Sequence, residues 1–257
     1  LVLVLLPFLG ALITATLPVN AHNAAAWISG LVLLAGLGLM TGFHPAIAEG
    51  RILRGVVQWV PALQLNLSFR MDGFSWLFVT LVLAIGILVV IYARYYLSKT
   101  DPVPRFYSFL MAFTGAMLGM LLSGNILLLV VFWELTSVVS FLLIGYWYQG
   151  QAARDGARMA LIVTAIGGLC LMVAMLILGQ IVGSNDLDRV LGSGDLIRAH
   201  PLYPLVLTLF LIGAFTKSAQ FPFHFWLPGA MAAPTPVSAF LHSATMVKAG
   251  VFLLIRF

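Results

Sequence analysis

Apolar residues fall along this chain in long runs that are separated by short polar segments. Eight of these runs approach the length, roughly 20 residues, that a helix needs to cross the hydrocarbon of a bilayer. The predicted spans are residues 1–17, 27–42, 74–97, 106–122, 126–147, 159–182, 202–227 and 237–257. Short alternating segments, which are typical of a membrane β-barrel, are not the repeating unit. The pattern therefore predicts an all-α polytopic membrane protein with about eight transmembrane helices.

The segment between the second and third runs has a different pattern. Residues 44–73 mix charged and apolar side chains, and VVQWV and LQLNLSF alternate with period two around Pro61. Such alternation is typical of β-strands. We therefore expect a small extramembrane β-hairpin at about residues 44–73. The chain then divides into residues 1–105, with helices one to three and the hairpin, and residues 106–257, with helices four to eight.

Composition supports a membrane protein. Of the 257 residues, 62% are hydrophobic and 8% are charged, whereas a soluble domain is about a quarter charged. The net charge of +5 comes mostly from loops, which favours contact with anionic lipid over binding of nucleic acid. The single cysteine, Cys170, lies in an apolar run, so a disulfide within the chain is impossible and a cysteine-ligated metal cluster is not expected.

The distribution of basic residues predicts the orientation in the membrane. The loops after the third and fifth runs are short, and between them they carry Arg94, Lys99, Arg105, Arg154 and Arg158. Because the positive-inside rule is most reliable for short loops, we expect these loops in the cytoplasm and the N-terminus outside. The first run lacks a basic leader and a cleavage site, so we interpret it as a span. The chain starts without Met and stops inside a helical pattern, so we expect a fragment of something longer.

Ionisable side chains inside the spans are the candidate functional groups, because each costs roughly 2.5–3.5 kcal/mol at the bilayer centre. Glu134 is the ninth residue of the fifth run, which places it roughly 13 Å deep, near the midplane. Thr136 and Ser137 could donate hydrogen bonds to its carboxylate. A structural ion pair between two helices is the alternative. We favour a transport pathway, since apolar packing could replace such a pair at little cost.

The seventh run combines ionisable residues with a proline. Lys217, Gln220 and His224 are spaced to share one helix face. Pro222 lacks an N–H and its ring presses on the carbonyl of residue 218, which predicts a discontinuous helix. Breaks at this depth are tolerated where they line a cavity or are shielded by protein. We favour a wet cavity over an ordinary proline kink.

The eighth run carries a polar stripe. Its members, within an arc of about 120° on an ideal helix, are Ser238, His242, Thr245 and Lys248. Either His224 or His242 alone could be a packed core residue. Histidine titrates near neutral pH, however, and the proton affinity of a buried lysine depends on nearby carboxylates. The hypothesis is a proton-translocating chain of Glu134, Lys217, His242 and Lys248.

Two long motifs carry a family resemblance. They are FWELTSVVSFLLIGYW, at residues 132–147, and TKSAQFPFHFWLPGAMAAPTPVSAFLHSATMVKAG, at residues 216–250. Together they resemble the antiporter-like subunits shared by respiratory complex I and the Mrp-type cation/proton antiporters. Within that family the strings WELTS, HFWLP and LHSATMVKAG are most similar to the A-type subunit of the Mrp antiporter. The resemblance covers essentially the whole chain.

The resemblance implies roles for the ionisable residues. Glu134 matches the fifth-helix glutamate of the family and Lys217 the lysine of its broken seventh helix. His242 and Lys248 match the eighth-helix relay groups, and His224 matches a histidine typical of the Mrp version. Residues 106–257 would be the first of two inverted five-helix repeats, with the second repeat missing.

The expected function is therefore that of one component of a multisubunit Na⁺/H⁺ antiporter in the plasma or inner membrane. Its expected partners are other membrane subunits, lipid, protons and monovalent cations, and we expect no enzymatic activity, organic cofactor or metal. The alternative is a proton-pumping component of complex I or of a membrane-bound hydrogenase, which neighbouring flavin, iron–sulfur or nickel subunits would favour. A haem-binding cytochrome using His224 and His242 is disfavoured, and an absorbance spectrum would test it.

Overall fold

The computed structural model describes residues 1–60, 65–98 and 100–257, without the side chains of residues 59, 60, 65 and 244. The described helices are α1 Val2–Ala15, α2 His22–Ala48, α3 Gly73–Tyr96, α4 Val103–Leu122, α5 Ile126–Ile144, α6 Gln151–Val182, α7 Leu187–Gly192, α8 Gly194–Ala199, α9 Tyr203–Lys217, α10 Trp226–Ala230, α11 Thr235–Ala239 and α12 Met246–Arg256. Two strands, β1 Leu53–Val60 and β2 Leu65–Met71, follow α2. A 3₁₀ turn, Phe223–Phe225, precedes α10, and a π-helical turn, Phe240–Ala244, follows α11.

Six segments of the described chain are long and apolar enough to cross a membrane. They are α2, α3, α4, α5, α6 and the segment Thr235–Arg256, which contains α11, the π turn and α12. The predicted first and seventh spans correspond to α1 and α9, which are apolar but have only 14 and 15 residues. The prediction of a polytopic, all-α membrane fold with a small two-stranded sheet is confirmed.

Several predicted boundaries are wrong because helices continue beyond the apolar runs that mark them, and two of these differences matter for the fold. Helix α2 extends to Ala48, so residues 44–48 are helical and do not belong to the hairpin. Helix α6 begins at Gln151, eight residues before the predicted sixth span, and so includes Arg154 and Arg158. Alanine, glutamine and arginine are good helix formers. The polar residues at the start of α6 therefore lie within the helix, and only the membrane-spanning part of the helix begins after them.

The two strands form an antiparallel hairpin that docks on the connection between α4 and α5. Their pairing runs from Leu53 opposite Met71 to Val57 opposite Leu67 and becomes irregular towards Val60. The predicted turn around Pro61 lies outside the described residues. The N–H of Gly124, between α4 and α5, donates to the carbonyl of Ser68 in β2 over 2.7 Å. This contact attaches the hairpin to the bundle at the end of α4.

A network of charges joins the hairpin to three helices. Asp72 caps α3 by accepting from the N–H of Ser75 at 2.9 Å, and it also accepts from Arg70 and Arg256. Arg70 in turn donates to Asp188 of α7 over 2.6 Å. Burial opposes ionisation of Asp72, but the hydrogen bonds from Arg256, Ser75 and Arg70 outweigh it and hold the pKa of the carboxyl below its usual range. The network ties β2 to α3, α7 and the end of α12.

The packing of α6 sets the positions of the helices that carry the ionisable residues. Helix α6 contacts both α5 and α9. A β-carbon built at Gly213 of α9 would lie 2.8 Å from the β-carbon of Leu171 in α6, so α9 and α6 approach closely only because residue 213 has no side chain. Small residues at such crossings are typical of membrane helix packing.

Candidate functional site

Glu134 lies in the middle of α5 and faces α6. Asn125 begins the helix by accepting from the N–H groups of Leu127 and Leu128, and Glu134 is the ninth of its 19 residues. A methyl group at Gly168 of α6 would overlap Oε1 of Glu134. That oxygen is buried and has no hydrogen-bond partner within the described residues. The missing side chain at Gly168 therefore makes the space that the carboxylate occupies.

Lys217 is the last residue of α9, and it reaches α5 with a fully buried side chain. Its Nζ donates to Oγ of Ser137 over 2.6 Å and to the carbonyl of Trp133 over 3.1 Å. The same nitrogen lies 5.3 Å from the centre of the Trp133 ring, within the range of a cation–π contact. Every one of these partners is neutral, so the ammonium is solvated by dipoles.

Glu134 and Lys217 contact the same turn of α5 but do not pair directly. Trp133 and Ser137, which bind the amine, lie on either side of Glu134 in sequence. In the part of the chain that the structure describes, no ion pair within 4.0 Å joins the two side chains. The expected hydrogen bonds from Thr136 and Ser137 to the carboxylate are also absent there, because both hydroxyls donate to the carbonyl of Trp133. Glu134 and Lys217 therefore form no direct ion pair in the described chain.

The predicted break in the seventh span is present, but it begins earlier than expected. Helix α9 ends at Lys217, and Ala219 has a positive φ of 51°. Gln220 and His224 therefore lie beyond the helix, and the prediction that they share a helix face with Lys217 is wrong. The cause is Pro222, whose ring clashes with the preceding turn and disfavours a helical conformation for the residue before it.

Trp226 contacts the backbone at the end of α9, next to the break. Its indole N–H donates to the carbonyl of Thr216 over 2.9 Å. Thr216 also packs on α6, where a methyl group at Gly167 would overlap its hydroxyl. The adjacent Gly167 and Gly168 thus admit one side chain from α9 and one from α5. We did not predict either glycine or Trp226 as part of the site, although a glycine pair inside a long apolar helix is a signal of close approach.

His242 lies in the π turn and faces Trp226. The ring centres of Trp226 and His242 are 6.1 Å apart. Neither ring nitrogen of His242 has a hydrogen-bond partner among the described residues, although both atoms are buried. Buried polar atoms normally find a partner, which can be water. The ring is therefore placed where a proton carrier could lie.

The residues of the predicted polar stripe on the eighth span do not share one helix face. The π turn inserts one extra residue, and the hydroxyl of Thr245 donates back to the carbonyl of Phe240 over 2.7 Å. Thr245 is consequently buried, whereas Lys248 is exposed on α12. The prediction assumed 100° per residue throughout, and a π turn breaks that periodicity.

His224 and Lys248 lie at the surface, apart from the buried groups. His224 is exposed in the 3₁₀ turn and stacks on Phe221 with ring centres 5.9 Å apart. Pro222 is exposed as well, and Phe221 is 82% exposed. The structure thus groups Lys217 with the helix of Glu134 and places His242 beside Trp226. It leaves His224, Pro222 and Lys248 at the surface of the described chain.

Comparisons with known proteins identify two family regions. Residues 123–257 match the family described as NADH:quinone oxidoreductase/Mrp antiporter, transmembrane region. Residues 58–107 match the N-terminus of chain 5 of NADH-ubiquinone oxidoreductase, complex I. All the ionisable residues of the candidate site fall within the first region.

Individual proteins are similar over the whole chain. One, from Rhizobium meliloti, is named as the probable A/B subunit of a K⁺/H⁺ antiporter and is 60% identical over 256 residues, which are 100% of this chain and 26% of that protein. The structure of the Mrp complex from Dietzia sp. DQ12-45-1b contains a chain that is 35% identical, with a TM-score of 0.87 over 99% of this chain and 27% of that one.

A more distant structure shares the fold. It is the membrane-bound sulfane sulfur reductase, an archaeal respiratory membrane complex, with a TM-score of 0.82 and 18% identity over 99% of this chain and 40% of that one. The chain spans about a quarter of the length of the curated relatives it matches.

Proposed function

Because the chain belongs to the NADH:quinone oxidoreductase/Mrp antiporter family, we propose that it is part of one component of a multisubunit antiporter. That antiporter exchanges protons for a monovalent cation across the bacterial plasma membrane. The names of the similar proteins support this assignment. Residues 106–257 form the first antiporter-like repeat, and the second repeat lies in the part of the relatives that this chain does not cover.

The observation that carries the proposal is the buried amine of Lys217. It is fully buried, and its hydrogen bonds go to a hydroxyl and a carbonyl without a carboxylate in direct contact. An ammonium held in this way costs free energy that apolar packing would avoid. A group that gains and loses a proton during transport accounts for that cost.

The pathway consists of Glu134, Lys217 and His242, with Ser137 and the Gly167–Gly168 pair around them. Oε1 of Glu134 and both nitrogens of His242 are buried without a protein partner in the described chain, as expected for groups that contact water during transport. Lys217 lies at the point where α9 ends, so a small movement of the break shifts its amine towards or away from α5. Such movement changes the distance between the amine and Glu134 and with it the proton affinity of both groups.

The exposed residues also belong to the proposed pathway, where other parts of the complex cover them. Irregular backbone at membrane depth is tolerated only where protein or a water-filled cavity covers it. The break around Pro222, the ring of His224 and the amine of Lys248 are exposed here, so another part of the complex covers them. There His224 and Lys248 extend the pathway towards partner membrane subunits.

The proposal also concerns the identity of the transported cation. The resemblance of the sequence motifs to Mrp-type antiporters led us to expect Na⁺. The similar protein from Rhizobium meliloti is instead named as part of a probable K⁺/H⁺ antiporter. Glu134 is the single carboxylate inside the described spans that the pathway uses. We therefore propose monovalent cation/proton exchange with Na⁺ or K⁺ as the substrate.

The experiment measures proton movement in membrane vesicles that contain the complete protein with its partner subunits. An imposed Na⁺ or K⁺ gradient should drive proton flux in the opposite direction, and Lys217→Ala and Glu134→Gln, made separately, should each abolish it. Undiminished flux in both variants would contradict the pathway. Proton movement that needs a redox donor instead of a cation gradient would favour the redox-driven alternative.

A further inference from the structure

Three arginines line one groove at the membrane end opposite the hairpin. Arg105, Arg154 and Arg158 surround a cavity of about 340 Å³ between the start of α4, the end of α5 and the start of α6. The groove shares no residue with the pathway of Glu134, Lys217 and His242. The basic loops that flank it predict the cytoplasmic side of the membrane.

No described carboxylate forms an ion pair with any of these arginines. Arg105 donates to the carbonyl of Tyr146 over 3.1 Å, and its Nε is buried without an acceptor in the described chain. Its guanidinium lies 5.2 Å from the ring centre of Tyr146 and 5.4 Å from that of Tyr148. Arg154 donates to the carbonyl of Tyr148 over 2.8 Å. Arg158 is exposed.

The nearest carboxylates in sequence are engaged by other groups. Asp101 accepts from the indole N–H of Trp147 over 3.2 Å, and Asp155 accepts from the side-chain amide of Gln151 over 2.8 Å. At the opposite end of the membrane, three arginines pair with Asp72 or Asp188; they are Arg54, Arg70 and Arg256. Carboxylates of the protein thus neutralise these three arginines, whereas within the described chain no carboxylate pairs with the three arginines of the groove.

Two further features indicate what would compensate this charge. Arg154 lies at the end of the first turn of α6, where the helix dipole already contributes positive potential and favours an anion. The rest of the groove is apolar, with walls formed by Phe109, Phe141 and Leu142. A ligand that fits both parts has a negatively charged head and a hydrocarbon tail.

We propose that this groove binds one anionic phospholipid of the cytoplasmic leaflet. Its phosphate accepts hydrogen bonds from the guanidinium groups of Arg105 and Arg158, which line the groove. An acyl chain lies along Phe141 and Leu142. Basic pockets between transmembrane helices on the cytoplasmic side bind such headgroups in other membrane proteins. The site fastens α4, α5 and α6 together at the end of the bundle opposite the ion-pair network of the hairpin.

Retention of lipid by the purified protein tests the proposal. The complete protein is incorporated into nanodiscs containing equal amounts of phosphatidylglycerol and phosphatidylcholine, re-extracted in mild detergent, washed, and analysed for bound lipid by mass spectrometry. The wild type should retain phosphatidylglycerol in preference to phosphatidylcholine. Arg158→Gln, which removes an exposed side chain, should lower this retention about fivefold. Leu142→Trp should lower it without any change in charge, because it fills the apolar part of the groove.

The matched control is Arg94→Gln, which removes an arginine of the same membrane side that contacts Trp27 and Tyr95 instead of the groove. It should retain the lipid as the wild type does. Equal retention of the two lipids by the wild type, or equal loss in Arg158→Gln and Arg94→Gln, would overturn the site. Displacement of the lipid by inorganic phosphate would show a site for free anions and would overturn the assignment to a lipid.

Discussion

The amine of Lys217 and the hydroxyl of Ser137 are joined by a 2.6 Å hydrogen bond that links the end of α9 to the middle of α5. The bond lies where the helical backbone of α9 stops, so the position of the amine depends on the conformation of the break. It also lies one turn from Glu134, with which the amine forms no ion pair in the described chain. This arrangement holds a buried amine close to a second ionisable group without direct contact between the two.

Replacing Ser137 should weaken transport more than it weakens the fold. Ser137→Ala leaves Nζ of Lys217 with the carbonyl of Trp133 as its remaining acceptor, and a hydrogen bond to a charged group is worth about 1.5–3 kcal/mol. We expect cation-driven proton flux to fall about tenfold, which corresponds to about 1.4 kcal/mol. The matched control is Ser108→Ala, which removes a 2.9 Å hydrogen bond between α4 and the carbonyl of Ala11 outside the site. If both variants lost the same fraction of flux, the special role of Ser137 would be refuted.

Adding one methyl group at Gly168 should displace Glu134. A β-carbon there overlaps Oε1, which is the far end of a flexible side chain, so the carboxylate can move and the helices stay in place. We expect Gly168→Ala to leave the unfolding temperature nearly unchanged, while flux falls about tenfold or more, since function is sensitive to misplacement of about 1 Å.

The control for this variant is Gly38→Ala in α2, where a β-carbon would have no atom within 4 Å. It should change neither flux nor unfolding temperature. Full flux in Gly168→Ala would show that the position of the Glu134 carboxylate does not matter for transport.

The charge network at the hairpin should give stability that depends on pH. The pKa of Asp72 is lower in the folded protein than in the unfolded chain, so its contribution is complete above about pH 5 and is lost as the pH falls through the folded value. Asp72→Asn should reduce the free energy of unfolding by about 2–3 kcal/mol at neutral pH, since it weakens the charged hydrogen bonds from Arg70 and Arg256.

Thermal unfolding of the purified protein between about pH 4 and pH 8 checks this prediction. The difference between wild type and variant should be constant in the upper part of the range and shrink towards acid. Asp195→Asn, which alters a fully exposed carboxylate, should have no effect at any pH, because exposed ion pairs contribute little. A difference that grows as the pH falls would have the wrong sign for a carboxyl with a lowered pKa.

Much of the fold could be predicted because every helix that crosses a bilayer must be long and apolar. Runs of about 20 apolar residues located the long helices, and alternation with period two located the strands around residues 53–71. Helix ends were less predictable. The first turns of α6 are largely polar, and hydropathy does not distinguish a polar helix that projects from the membrane from a loop.

The ionisable residues of the candidate site were selected from the sequence, but their arrangement in the structure was not predicted. The cost of burial was enough to select Glu134, Lys217 and His242, and the family resemblance seen in their motifs is confirmed. Ideal helical spacing misplaced Gln220 and Lys248, because a proline break and a π turn each change the rotation per residue. The roles of Gly167 and Gly168 depend on which side chains face them from α5 and α9, and such contacts between helices leave no periodic trace in the sequence.

The most direct test of the account is proton flux through the complete complex with Lys217→Met, driven by an imposed gradient of Na⁺ or K⁺. Methionine keeps most of the buried volume and removes the charge, and Thr208→Val, on an exposed position of the same helix, serves as the control. The account predicts that Lys217→Met assembles like the wild type but shows the flux of empty vesicles, while Thr208→Val remains active. Flux in Lys217→Met equal to that of the wild type would contradict it.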